Sequence, residues 1–125
     1  MQYSTAVRNA VLSAVSTQIG SGGTAKTYTG SSPGVSNGAT GTLLSTMTAL
    51  ACGTPAAGAM TVTTTADSSA AASGTPGYVR LLTSGATACI DCTAAVGSGE
   101  FNFSGTISLG GSVTLTSGTI TAGNA

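Results

Sequence analysis

The hydrophobic rhythm of the chain changes once, near residue 20. Before that point apolar side chains recur at a spacing of four, Val7, Val11, Val15 and Ile19, with Ala10, Leu12 and Ala14 thickening the stripe. That period predicts an amphipathic helix over residues 4–19, with Ser4 as its N-cap and Gly20 as its C-terminal stop. Arg8, Asn9, Ser13, Ser16 and Thr17 fall on the opposite, polar face. An apolar stripe of this kind needs cover, either from the rest of the domain or from a neighbouring subunit.

From Thr24 onward the period is two. Residues 24–30, 42–50 and 60–66 alternate, separated by segments rich in turn residues at 31–41, 51–59 and 67–77. Two more strands flank Ser84-Gly85, and 100–110, 112–116 and 119–123 follow, so seven or eight strands are expected. Gly110-Gly111 and Ser117-Gly118 read as hairpin turns near the C-terminus. No internal repeat points to a solenoid. The expected fold is mainly β: a β-sandwich or barrel of about seven to eight short antiparallel strands, residues 21–125, preceded by one N-terminal helix, residues 1–20.

The stretch from Gly74 to Val96 gathers most of the chain's candidate chemistry: Arg80, Asp91 and the pair Cys89 and Cys92. With Ser84-Gly85 as a two-residue turn, Val79 faces Ile90 and Leu81 faces Ala88, and Cys92 joins that apolar face. Tyr78, Arg80, Leu82, Cys89 and Asp91 then share the other face, with Arg80 and Asp91 as diagonal neighbours within reach of a charge pair. Cys89 and Cys92 point to opposite faces. On a strand, a spacing of three separates two thiols rather than pairing them.

Composition narrows the chemistry further. Only 5% of the residues are charged, three basic against three acidic, and there is no histidine or tryptophan. An ordinary globular domain carries roughly 25% charged residues. About a third of this chain is serine or threonine. A neutral chain lacks the clustered Lys and Arg that nucleic acid requires. No run of about eighteen apolar residues predicts a membrane span, and the N-terminus lacks the pattern of a signal peptide. The regular strand pattern argues against disorder despite the Gly/Ser/Thr-rich tracts.

Three cysteines without a histidine fall short of a zinc ligand set, and the Cys89/Cys92 motif does not open a helix as a redox couple would. Structural thiols are the expectation, in a chain that folds in a reducing cytosol; a bridge from Cys52 to either partner stays open. Asp67, Asp91 and Glu100 lie on different segments, so no paired-carboxylate mechanism is expected. Residues 20–26 look superficially like a phosphate loop but follow a helix instead of opening one. The sequence therefore predicts no catalytic, cofactor-binding or metal residues, no cofactor and no enzyme.

The segments "YSTAVRNAVLSAVSTQIG" (3–20), "YTG" (28–30), "GTLLSTMTAL" (41–50), "GTPGYVRLLTSGATACID" (74–91) and "SVTLTSGTITAGNA" (112–125) together resemble a group of small virion proteins of tailed bacteriophages. The resemblance implies an accessory structural protein of the capsid cement or decoration type, with a β-rich body. Its implied partner is the major capsid protein, bound on the capsid surface by a homo-oligomer or paired copies, after assembly in the host cytoplasm. The alternative it implies is a head-fibre or tail-associated module that binds a host receptor.

Overall fold

The computed structural model describes residues 2–122. One helix, α1 (Thr5–Ile19), precedes seven strands: β1 (Gly23–Tyr28), β2 (Leu43–Cys52), β3 (Ala59–Thr65), β4 (Tyr78–Leu82), β5 (Ala88–Ala95), β6 (Phe101–Phe103) and β7 (Leu115–Thr121). The strands close into a barrel in the order β1-β2-β3-β7-β6-β5-β4. The sandwich alternative is thereby set aside, and the sheet is mixed rather than wholly antiparallel, because β5 and β6 pair in parallel.

The C-terminal third departs most from expectation. The hairpin expected of residues 112–116 and 119–123, the last of which lies outside the described residues, does not form about Ser117-Gly118; one strand, β7, runs through that dipeptide. It pairs with β6 on one side and β3 on the other. Closing the barrel requires a strand between β3 and β6, and that non-local demand overrides a weak local turn signal. Of residues 100–110 only three form a strand. The remainder, continuing to Val113, bridges the 67–77 loop, Asp67 with Val113 and Gly74 with Ile107. This flap delivers Ala70, Ile107 and Val113 to the same buried cluster as the barrel interior.

Helix α1 begins and ends as its capping residues dictate. The Ser4 hydroxyl accepts from the Val7 amide, and the Gly20 amide donates to Ser16 O. Its inward face differs from the predicted one. Leu12 and Ile19 are buried and Val15 packs against the core, but Val7 and Val11 stand 44% and 45% exposed. A strict spacing of four drifts by about 40° per step on a helix of 3.6 residues per turn. Val7 and Ile19 therefore cannot share a face. Arg8 and Asn9, assigned to the polar side, instead anchor the helix: Arg8 Nε donates to Ala122 O at 2.7 Å, and Asn9 Oδ1 accepts from the Gly58 amide at 2.9 Å. The guanidinium lies so close over Gly58 that a Cβ there would sit 2.4 Å from it. These contacts set α1 across the barrel end where β2 and β7 finish and β3 begins.

Inside the barrel, two inward rows cross β2, β1, β4 and β5. One is Met47, Ala25, Leu81 and Ile90; the next is Ser45, Thr27, Val79 and Cys92. Phe101 and Phe103 from β6, with Met60, Val62 and Ile120, fill the far side of the same core.

Candidate functional site

On the outer surface of β1, β4 and β5 a third row brings Lys26, Arg80 and Asp91 side by side. These are three of the chain's six charged side chains. Beside them Tyr28 and Tyr78 stack with ring centroids 5.1 Å apart and planes 13° off parallel. Arg80 faces Asp91 directly and not diagonally, because the turn between β4 and β5 is longer than two residues. The Ala86 amide donates to Thr83 O and the Thr83 amide to Thr87 O, with Ala86 at φ +66°. This is a three-residue loop with a left-handed third position, where a glycine is usual. The register shifts by two from that expected for a Ser84-Gly85 turn, so Val79 meets Cys92 and Leu81 meets Ile90. A two-residue shift leaves each side chain on its predicted face. A further irregularity between Leu81 and Leu82 breaks the alternation at the start of β5, where Cys89 is half-buried against the core.

The pair is nearly dry. The Arg80 and Asp91 side chains are 6% and 5% exposed. Arg80 Nε and Nη2 donate to the two carboxylate oxygens at 2.7 and 2.9 Å. Nη1 and Nη2 also donate to Asn37 O at 2.9 Å and Gly34 O at 3.1 Å. The Ser32 hydroxyl donates to Asp91 Oδ2 and accepts from the Gly34 amide. The Tyr78 hydroxyl donates to Thr40 O and accepts from the Thr40 amide. Residues 30–42 thus form a strap across the outer face, closed at its base by the Thr29 amide on Thr42 O and the Thr42 amide on the Thr29 hydroxyl. The strap has no buried side chain of its own, and these polar contacts tie it to the barrel.

Electrostatics follow from this geometry. Hydrogen bonding from Arg80, helped by Ser32, holds the Asp91 carboxyl below the usual carboxylate range against the opposing effect of burial. The same bond raises the Arg80 guanidinium. Burial first, then Tyr78, raises the Tyr28 phenol. Both members of the ion pair are fixed in their charged forms and committed to partners. Such an arrangement clamps a loop; it leaves neither a proton to move at neutral pH nor a nucleophile to activate.

The cysteines stand apart from this cluster as three free thiols. Burial, with the Glu100 carboxylate nearby, pushes the Cys92 thiol far up. Burial also raises the Cys52 thiol, opposed by a hydrogen bond with Ser16. Among the described residues no group of three or more His, Cys, Asp or Glu could hold a metal ion, and no helix is long and apolar enough to cross a membrane.

A second feature lies between β3 and β7. These strands pair from Ala59 with Thr121 to Thr61 with Thr119, and the same offset returns at Asp67 with Val113. The two ends are out of phase. The Ala122 amide donates to Gly58 O at one end, whereas Asp67 and Val113 exchange both bonds at the other. Even-numbered backbone groups of the first strand therefore face its partner near Gly58 and odd-numbered ones near Asp67. A ladder cannot switch phase without opening. The result is a groove of about 330 Å³ lined by threonine and serine hydroxyls, Thr61, Thr63, Thr64, Thr116, Ser117 and Thr119, together with Val62, Leu115 and Gly118. None of these carries a charge.

The sequence identified Arg80 and Asp91 as partners, but not the strap. The run of turn residues at 31–41 was the available signal, and nothing local says which strand such a loop will cover. Comparison of the chain with protein-family models, with curated proteins and with solved structures finds no match.

Proposed function

We propose that this protein is a non-enzymatic structural component of a tailed-phage virion, a cement or decoration protein that binds and bridges major capsid subunits on the head surface. The observation that carries this reading is the outer face of α1. Val7 and Val11, four apart on α1, are each more than 40% exposed, and Tyr3, 43% exposed, immediately precedes the N-cap. The helix's one charged side chain, Arg8, and its neighbour Asn9 are bonded to the barrel end, and the exposed amide Gln18 carries no charge. The exposed helical face is thus uncharged, and a contact there desolvates no ion. Repeated over a shell as a homo-oligomer or as paired copies, a modest contact gains strength through multivalency. The resemblance of the sequence to small phage virion proteins supports the same reading.

The uncharged groove between β3 and β7, where hydroxyls stand beside Val62 and Leu115, favours the second reading, a head-fibre or tail-associated module that binds a host receptor. Particles assembled without the protein distinguish the two. Under the cement reading they lose integrity at a lower temperature or on transfer to low salt, and regain it when the purified protein is added back. Particles of unchanged resilience that no longer attach to cells would remove the cement reading in favour of the adhesion module.

A further inference from the structure

Two hydroxyls in the barrel interior have no partner. Thr27 and Ser45 are each 0% exposed, and neither Thr27 Oγ1 nor Ser45 Oγ makes a hydrogen bond to the protein. They are not independent. Thr27 on β1 pairs directly with Ser45 on β2, so both side chains leave the sheet on the same face. That face is the inner one, shared with Ala25 and Met47. An orphaned buried hydroxyl is costly, and two side by side in one core call for a common explanation.

We infer that Thr27 and Ser45 hold a single buried water molecule between β1 and β2, an integral part of the barrel core. Each hydroxyl offers one donor and two acceptor positions, so a water between them gains two of the roughly three hydrogen bonds such molecules typically make. The side chains at this level are short. The inner row here is Ser45, Thr27, Val79 and Cys92, four short side chains, whereas the adjacent row carries Met47, Leu81 and Ile90 around Ala25. A barrel interior filled by long side chains at one level and short ones at the next leaves its space at the short level. The same argument explains why β2 places a serine between the buried Leu44 and Met47, where an apolar residue would otherwise be expected.

The test combines a crystal structure at a resolution that shows ordered water with urea denaturation of the full chain and three variants: Thr27→Val, Ser45→Ala and the double. Thr27→Val keeps the side-chain shape, so loss of folding does not confuse the outcome. The expected structure has one ordered water within hydrogen-bond distance of both hydroxyls, absent from the double variant. Each single variant should lower the urea midpoint by stranding the remaining hydroxyl, and the double should lose less than the sum of the two singles. Two results would overturn the proposal. One is density showing the hydroxyls bonded directly to each other or to the backbone with no water between them. The other is strictly additive midpoint shifts.

Discussion

Replacing Asp91 with alanine tests whether the strap clamp governs stability. The substitution removes the acceptors of two of the four Arg80 hydrogen bonds seen in the structure, and it also takes the partner from the Ser32 hydroxyl. The guanidinium that remains is only 6% exposed and keeps Gly34 O and Asn37 O, neither of which neutralises it. Breaking a buried pair by removing one member costs about 3–5 kcal/mol, because an uncompensated charge stays behind. A chain of this length has roughly 6–19 kcal/mol of stability at 0.05–0.15 kcal/mol per residue, so the loss is a large share of the total. Replacing both members, Arg80→Met with Asp91→Leu, removes the stranded charge and should recover much of that loss. Urea unfolding followed by far-ultraviolet circular dichroism gives both numbers. A loss below about 1 kcal/mol for Asp91→Ala is the behaviour of an exposed pair and would refute the reasoning.

The same clamp has a pH signature with a definite sign. Asp91 has a folded pKa below its unfolded value, chiefly through Arg80. Its contribution is therefore fully present above the unfolded value, about 3.9, and is lost as pH falls through the lower folded value. Arg80 is raised, so its contribution is lost only as pH rises through a value beyond the ordinary range of arginine. The strap should loosen in acid and not in mild alkali. Amide exchange at Gly34, whose N–H donates to Ser32, reports this directly. Asp91→Ala should flatten the acid dependence.

Four further substitutions test the helix, the turn and the strap base. Leu12→Ala should cost about 2–5 kcal/mol while Val11→Ala stays within about 0.5, measured by urea midpoint; equal losses would restore the strict four-residue stripe. Ala86→Gly should stabilise the chain by roughly 0.5–1 kcal/mol, since it relieves a non-glycine residue at φ +66° at some cost in unfolded-state entropy; thermal denaturation reads the change. At Gly77 an added Cβ would lie 1.9 Å from Gly30 O, backbone against backbone. Gly77→Ala should therefore cost about 1–3 kcal/mol or more and raise amide exchange across the strap, and a neutral result would place the Gly30 backbone elsewhere.

The elements with strong local signals were legible in the sequence. Ser4 and Gly20 bound α1 because capping chemistry is local, and β3 alternates plainly enough to be bounded within a residue or two. The Arg80–Asp91 contact was legible because only a few charged residues exist and two fall on adjacent strands. The turn between them was not. Its left-handed position is held by Ala86, which carries no turn signal, while the neighbouring Gly85 carries a misleading one. The helix face was misjudged because valines at every fourth position look like one stripe in sequence but wind around a cylinder in space.

A deeper reason limits what this kind of sequence can reveal. Hydrophobic alternation marks the inside of a sheet only when the polar positions are unmistakably polar. Threonine is neither. Thr61, Thr63 and Thr65 face solvent on β3, Thr27 lies at 0% exposure on β1, and both settings read as the same residue type. With about a third of the chain serine or threonine and few charges to mark the outside, the local pattern places the strands up to β5 but not those of the C-terminal third, and not which neighbour each one takes. Barrel closure makes that choice. It inserts β7 between β3 and β6, forces β5 and β6 to run parallel, and opens the β3–β7 ladder where its two ends fall out of phase. The strap then covers the outer surface that carries the Arg80–Asp91 pair and the stacked tyrosines. What remains exposed on α1 and around the groove is largely hydroxyl and small apolar surface, suited to contacts that avoid desolvating ions.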